Sequence, residues 1–368
     1  MGFRNINTPR FYIDYLQYWS ITGLLGSNHY IWNTTEYPTS GDTDAYKAVM
    51  NIIGLNPANQ TKVTWDGTGA GGYNYNIKLK ETFPVDRVNF VGLLGHNFGS
   101  PNFTNSDIEF NFQYKITGDV FPHIKLTDEW IINGDRDDNS IHNILLDGFT
   151  LCSADGSTSD AFPLTDENDD AGLQPNIRGL SANDFDHQFS LGSLLMGRYY
   201  DMPTSPDLNV QLIHEWDGVK TTQTKSGATL TNTMYTGPPN WNNKKAWQLG
   251  RHPYYTSGRR SWRLTWSEVA DSDLEAYSPY GNKWSSDTGT PTLEESGDNW
   301  FEHVLYYTNG PRNSFLFSPD PSIEYYNDGT NPPRVPELAI CKFDMRTFSK
   351  KQTSFKRYTH SITVREVW

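Results

Sequence analysis

The 368-residue sequence predicts a mainly β protein, a β-sandwich followed by a second β domain with one short helix, and three observations carry that prediction. Aromatic residues make up 14% of the chain (Tyr 21, Phe 19, Trp 12) against 36% hydrophobic residues in all, so rings must supply much of the packing. Rings bury large areas with few rotatable bonds. Gly 30 and Pro 21 are spread along the whole chain, which favours short strands joined by turns over long helices. Several segments alternate apolar and polar residues with a period of two, the pattern of strands with one solvated face. The length suffices for two domains, each with its own core.

Residues 1–44 read as an aromatic arm centred on "RFYIDYLQYW". Phe11, Ile13 and Tyr15 alternate with Tyr12, Asp14 and Leu16, which favours a strand; Phe11, Tyr15 and Trp19 would share one face of a short helix. So dense an aromatic segment should pack on a domain or on a partner chain. Residues 45–205 read as the sandwich. In "YNYNIKL" Tyr73, Tyr75, Ile77 and Leu79 face one way and Asn74, Asn76 and Lys78 the other, and "IEFNFQY" repeats the pattern from Ile108 to Tyr114. "VNFVGLL" lacks alternation and predicts a central strand buried on both faces, as does "SLGSLLMGRYYDM" from Ser190 to Met202.

Residues 206–368 form the second domain. "VQLIHEWDGVKTTQTKSGATLTN" predicts a hairpin turning at Asp217-Gly218, a pair that favours primed turns. "RSWRLTWSEV" is a strand with Trp262, Leu264 and Trp266 inward and Arg263 and Thr265 outward. A short helix over about 298–308 would be capped by Asp298, bury Trp300 and Val304, and stop at Asn309-Gly310. "NSFLFSPD", "LAICKFDM" and "YTHSITVREVW" give the last strands.

A net charge of −13 and a pI near 5.1 argue against a general nucleic-acid binder, which needs a basic footprint. Cys152 and Cys341 are the only cysteines, too few for a disulfide framework, and read as buried small hydrophobes. No apolar run approaches the roughly 20 residues that span a bilayer. "MGFRNINTPRF" has neither the cationic nor the apolar region of a signal peptide, so synthesis in a cytoplasm without export by the usual route is expected.

His96, between Gly95 and Asn97 after the apolar run to Leu94, suits a general base, a metal ligand or a turn residue. No nucleophile elbow or equivalent partner accompanies it, so the reading settles on a turn that ends a buried strand. "NGDRDDNS" offers Asp135, Asp137 and Asn139 at alternate positions, as a calcium loop does, but without the central glycine and closing glutamate of that loop. Together with "DENDD" (Asp166–Asp170) it reads as a solvated acidic loop, with a structural Ca²⁺ left open. Trp241, Trp247 and Trp284 stand in polar loops and suit either glycan stacking or interface packing. No zinc spacing, phosphate loop or local carboxylate pattern for glycoside hydrolysis appears, so no cofactor and no catalytic residue is expected.

Two regions resemble known families. "FPVDRVNFVGLLGHNFGS", "IEFNFQY" and "FSLGSLLMGRYYDMPTSPDL" resemble the galactose-binding-like (discoidin-type) jelly rolls of phage structural proteins. From about 215 onward, "DGVKTTQTKSGATL", "GRRSWRLTWSEVADSDL", "DNWFEHVLYYTNG", "FLFSPD", "LAICKFDMRTFS" and "ITVREVW" resemble tail-associated structural proteins of aquatic bacteriophages, similar in layout to distal tail and minor tail proteins. Together the resemblances cover about three quarters of the chain, and the order of six elements is their most specific part. They imply a tail-tube-like β-barrel that assembles into a ring, commonly a hexamer, with the jelly roll outside it. The function implied is a non-enzymatic virion structural protein of the tail, made in the bacterial host cytoplasm. Its expected partners are copies of itself, other phage tail proteins and host surface glycan, with no nucleic acid and no membrane insertion. Its subunit interfaces would exceed about 2,000 Å² and be rich in rings. The alternatives are a host-glycan-binding module on the virion and, with no motif behind it, a glycan-cleaving enzyme.

Overall fold

The computed structural model describes residues 7–22, 29–33, 53–56, 59–64, 73–77, 87–88, 90–96, 109–115, 123–125, 130–131, 144–146, 149–153, 162–163, 173–178, 188–216, 218–232, 258–274, 299–322 and 337–367. Eleven strands, numbered β1 to β11 in chain order, form the main sheet. They are β1 Arg10–Asp14, β2 Phe90–Leu94, β3 Ile144–Leu146, β4 Phe149–Ser153, β5 Ser193–Asp201 and β6 Gln211–Glu215, then β7 Arg259–Ala270, β8 Phe315–Ser318, β9 Ala339–Phe343, β10 Lys350–Ser354 and β11 Arg357–Glu366. Their spatial order is β3-β4-β2-β5-β1-β8-β9-β11-β7-β6, with β10 also paired to β11. A second, six-stranded sheet runs His29–Asn33, Tyr73–Ile77, Leu173–Arg178, Glu109–Lys115 and His123–Lys125, with Trp130–Ile131 also on Glu109–Lys115. The fold is mainly β with large antiparallel sheets, consistent with the sandwich the sequence predicts.

The main sheet draws strands from all three sequence segments. β1 of the arm pairs with β5 from the 45–205 segment on one side and with β8 from the 206–368 segment on the other. The sheet therefore runs continuously through both segment boundaries. Among the described residues its ends, β3 and β6, are not paired with each other, and the barrel expected of residues 206–368 has no counterpart in the pairings.

β1 shows why the arm belongs inside. Its alternation sends Phe11 and Ile13 to one buried cluster and Tyr12 to another, so both faces of the strand are apolar. The same parity sorts Phe315 and Phe317 from Leu316, and Leu194 and Met196 from Leu195. Phe11 sits 4.9 Å from the Trp300 ring, 5.1 Å from Phe317 and 5.7 Å from Phe315. Each such side chain contributes about 1.5–3 kcal/mol on burial. The strand reading holds for Arg10–Asp14 and the helical one only from Tyr15 on, where helix α1 (Tyr15–Thr22) follows β1 directly and leaves Phe11 in the strand. Asp14 turns the chain: its Oδ1 accepts the Leu16 N–H at 3.0 Å, capping the helix. The close approach of β1 to β5 requires Gly197, where a Cβ would lie 1.9 Å from the Ile13 carbonyl oxygen.

The predicted helix near 298–308 is a π-helical turn, Phe301–Leu305, running into α3, Tyr306–Thr308; a four-residue helix α2 spans Asp271–Leu274. Asp298 lies outside the described residues. Among the described residues Asn299 holds the start: its Oδ1 accepts the Glu302 N–H at 3.0 Å. Asn309, with φ 50°, ends α3 in the left-handed conformation that the Asn-Gly pair favours.

Candidate assembly surface

β6 is the last strand at one end of the main sheet. β7 holds it in register from Gln211↔Arg263 to Glu215↔Arg259, and no strand among the described residues pairs with its outer side. A sheet edge presents a row of backbone donors and acceptors, which proteins ordinarily blunt with charge, proline or a bulge. β6 carries little of that protection. Its one acid, Glu215, is ion-paired to Arg365 of β11. Leu212 is 46% exposed, Trp216 just beyond the strand 54%, and Leu208 before it fully exposed.

The chain then leaves the sheet in a hairpin, Thr221–Gln223 against Thr229–Thr231, whose six strand residues are all exposed. Of the pair at which the sequence predicts the turn, Asp217 lies outside the described residues and Gly218 takes φ 82°. The hairpin seen among the described residues turns at Thr224–Ala228, where the Thr224 N–H donates to the Ala228 carbonyl at 2.8 Å and Gly227 takes φ 87°. β6 spends its hydrogen bonds on β7, and this hairpin forms farther along the chain, from Thr221 onward. Asn232 ties its base: its Nδ2 donates to the Gly218 carbonyl at 2.9 Å and its Oδ1 accepts the Lys220 N–H at 2.6 Å. A two-stranded hairpin without a packed face is marginal in water. Five of the nine large exposed hydrophobics among the described residues (Leu208, Leu212, Trp216, Val219 and Leu230) fall between 208 and 230, in β6, its flanks and the hairpin.

Of the residues singled out in the sequence, His96 is fully buried after Gly95, which has φ 70°, and burial pulls its imidazole down to about 3. It is neutral at physiological pH and closes the end of β2. Asp135, Asp137 and Asn139 lie outside the described residues, as do Trp241, Trp247 and Trp284. Among the described residues no group of three or more acidic, His or Cys side chains is placed to hold a metal. Cys341 is buried and outside any disulfide, and burial pushes its thiol well above the ordinary range.

One cluster went unread in the sequence. Arg260, wholly buried at the start of β7, donates from Nη2 to Glu366 Oε1 at 2.9 Å, from Nε to Glu366 Oε2 at 3.2 Å and from Nη1 to Glu337 Oε1 at 2.8 Å. The signal was available. Arg260 shares the inward parity of Trp262, Leu264 and Trp266, and Glu366 that of Ile362 and Val364, so two opposite charges stand in core register on paired strands.

The chain matches no protein-family model, no curated protein and no solved structure.

Proposed function

We propose that this chain is a non-enzymatic structural subunit of a bacteriophage virion, in the distal or minor tail, that assembles with copies of itself into a ring and joins other tail proteins. The observation that carries the reading is the exposed apolar end of the sheet: an uncovered edge strand β6 beside a hairpin that has no packed face of its own. Both are satisfied at once by a neighbouring subunit, which supplies a strand to the edge and a surface to the hairpin. The order of aromatic strands and the short helix from 259 onward adds the resemblance to tail proteins. Each copy carries −13, so like-charge repulsion opposes assembly and added salt should favour it.

The experiment is the particle mass in solution by light scattering, over rising protein and salt concentration. A closed oligomer of defined mass is expected. Leu212→Lys with Trp216→Glu, at two exposed positions that leave the core intact, should reduce it to a monomer. A wild-type protein that stays monomeric at high concentration and high salt contradicts the reading.

A further inference from the structure

A groove on the side of the main sheet that carries the helices has no part in that assembly surface. It lies between the end of α1 (Tyr18, Thr22), the π-helical turn with α3 (Phe301, Tyr306) and the segment 345–348 after β9. It measures about 470 Å³ and is open to solvent, within the size range of small-ligand sites.

Its rings are fixed before any ligand arrives. The Tyr18 and Tyr306 rings stand 5.5 Å apart, tilted by 47°. Tyr307 lies edge-on to both, at 4.9 and 5.4 Å, and rests on buried Tyr15 at 4.5 Å. Phe301 and Tyr306 nevertheless stay more than two-fifths exposed. The π-helical turn is a separate pointer, because single π turns occur frequently at functional sites. Here that turn leaves Phe301 outward while His303, Val304 and Leu305 are buried.

The polar lining narrows the ligand class. Thr22, Asn309 and Thr347, with neutral hydroxyl or amide side chains, line the groove beside the two tyrosines. Arg346 is the one charged residue among the described lining, in a chain whose net charge is −13. We infer that this groove binds an acidic saccharide, a pyranose bearing a carboxylate, with a face of the sugar on Phe301 and Tyr306 and its carboxylate on Arg346. Flat rings beside neutral hydrogen-bonding groups match the apolar face and hydroxyl rim of a sugar, and a guanidinium matches a carboxylate bidentately. The described lining holds no carboxylate pair, so the inference is of binding alone.

The test is calorimetric titration of the full chain with a hexuronate disaccharide and with its neutral hexose counterpart. The acidic sugar is expected to bind the more tightly. Phe301→Ala and Tyr306→Ala, both at exposed rings, should each weaken binding by up to about tenfold, the upper end of what one ring contact contributes. Arg346→Gln should abolish the preference for the acidic sugar. Absence of binding by either sugar, or variants that bind as the wild type does, overturns the inference. If Tyr306→Ala changes only the particle mass, the groove holds a neighbouring subunit instead, and the inference also fails. The assembly proposal is read from wild-type mass, so the two fail independently.

Discussion

Replacing Arg260 with Met should destabilise the protein more than removing either carboxylate that holds it. The Arg260 and Glu366 side chains are both 0% exposed, and Glu337 is 9% exposed, so one cation lies between two carboxylates away from water. The guanidinium also donates to the Leu338 carbonyl at 2.9 Å, and the Arg260 backbone N–H to Glu366 Oε2 at 3.0 Å. Glu366→Gln leaves a neutral Arg260–Glu337 pair and keeps an acceptor oxygen. Arg260→Met leaves Glu366 with a single backbone donor and no cation, next to a second carboxylate. Unit charges about 4 Å apart attract by roughly 4 kcal/mol at an effective dielectric near 20. Breaking a buried pair from one side costs about 3–5 kcal/mol, against a typical total stability of about 5–15 kcal/mol. Urea unfolding followed by tryptophan fluorescence reads this directly, because Trp262 lies 5.2 Å from the guanidinium. The midpoint should fall most for Arg260→Met and less for Glu366→Gln. It should recover in Arg260→Met/Glu337→Leu/Glu366→Leu, where no charge is left alone. An Arg260→Met midpoint at or above the wild-type value would refute the reasoning.

Gly197→Ala should undock β1, since the added Cβ meets the Ile13 carbonyl oxygen at 1.9 Å, and limited proteolysis should then cut between residues 7 and 22. Burial holds the His360 imidazole, which is stacked on Trp266 at 5.1 Å, down to about 4 from its ordinary 6.5. The unfolded chain therefore binds the proton more tightly, and stability is lost as pH falls through that window, by up to roughly 3 kcal/mol. His360→Leu should flatten this acid limb in pH-dependent melting. Asp14 acts in the opposite direction: burial pushes its carboxyl up from 3.8 to about 7, so the folded protein holds the proton and stability falls as pH rises across that range. Asp14→Asn keeps an acceptor for the Leu16 N–H and should melt higher than the wild type at pH 8, with the difference gone near pH 4. Equal melting of the two proteins at pH 8 would count against a buried charge at this position.

Local alternation made much of the fold legible. "RSWRLTWSEV" becomes β7 with Trp262, Leu264 and Trp266 within 1% of full burial, and "IEFNFQY" becomes the strand Glu109–Lys115. "VNFVGLL" contains β2, whose Phe90 and Leu94 lie in one cluster and Leu93 in the other, as a strand buried on both faces requires. What alternation could not supply is pairing across distance. Nothing local in "RFYIDY" says that it lies between β5 and β8, because that placement depends on Gly197 and on the matching apolar faces of Phe317 and Tyr200, about 190 to 300 residues away. The hairpin shows the same limit. Asp217-Gly218 is the stronger local turn signal, yet β6 finds its partner in β7, more than forty residues on. The apolar end of the sheet was equally invisible, since Leu212 and Trp216 look like any strand residues until the sheet order shows that β6 has no outer neighbour among the described residues.

Completion of β6 by another subunit is the central claim, and amide hydrogen exchange measured at several protein concentrations tests it most directly. With rising concentration, protection should increase at Gln211–Glu215 and in the hairpin Thr221–Thr231, while exchange in buried β1 stays unchanged. Exchange at β6 that does not vary with concentration, in a sample whose particle mass does, would show that assembly uses another surface and contradict the claim.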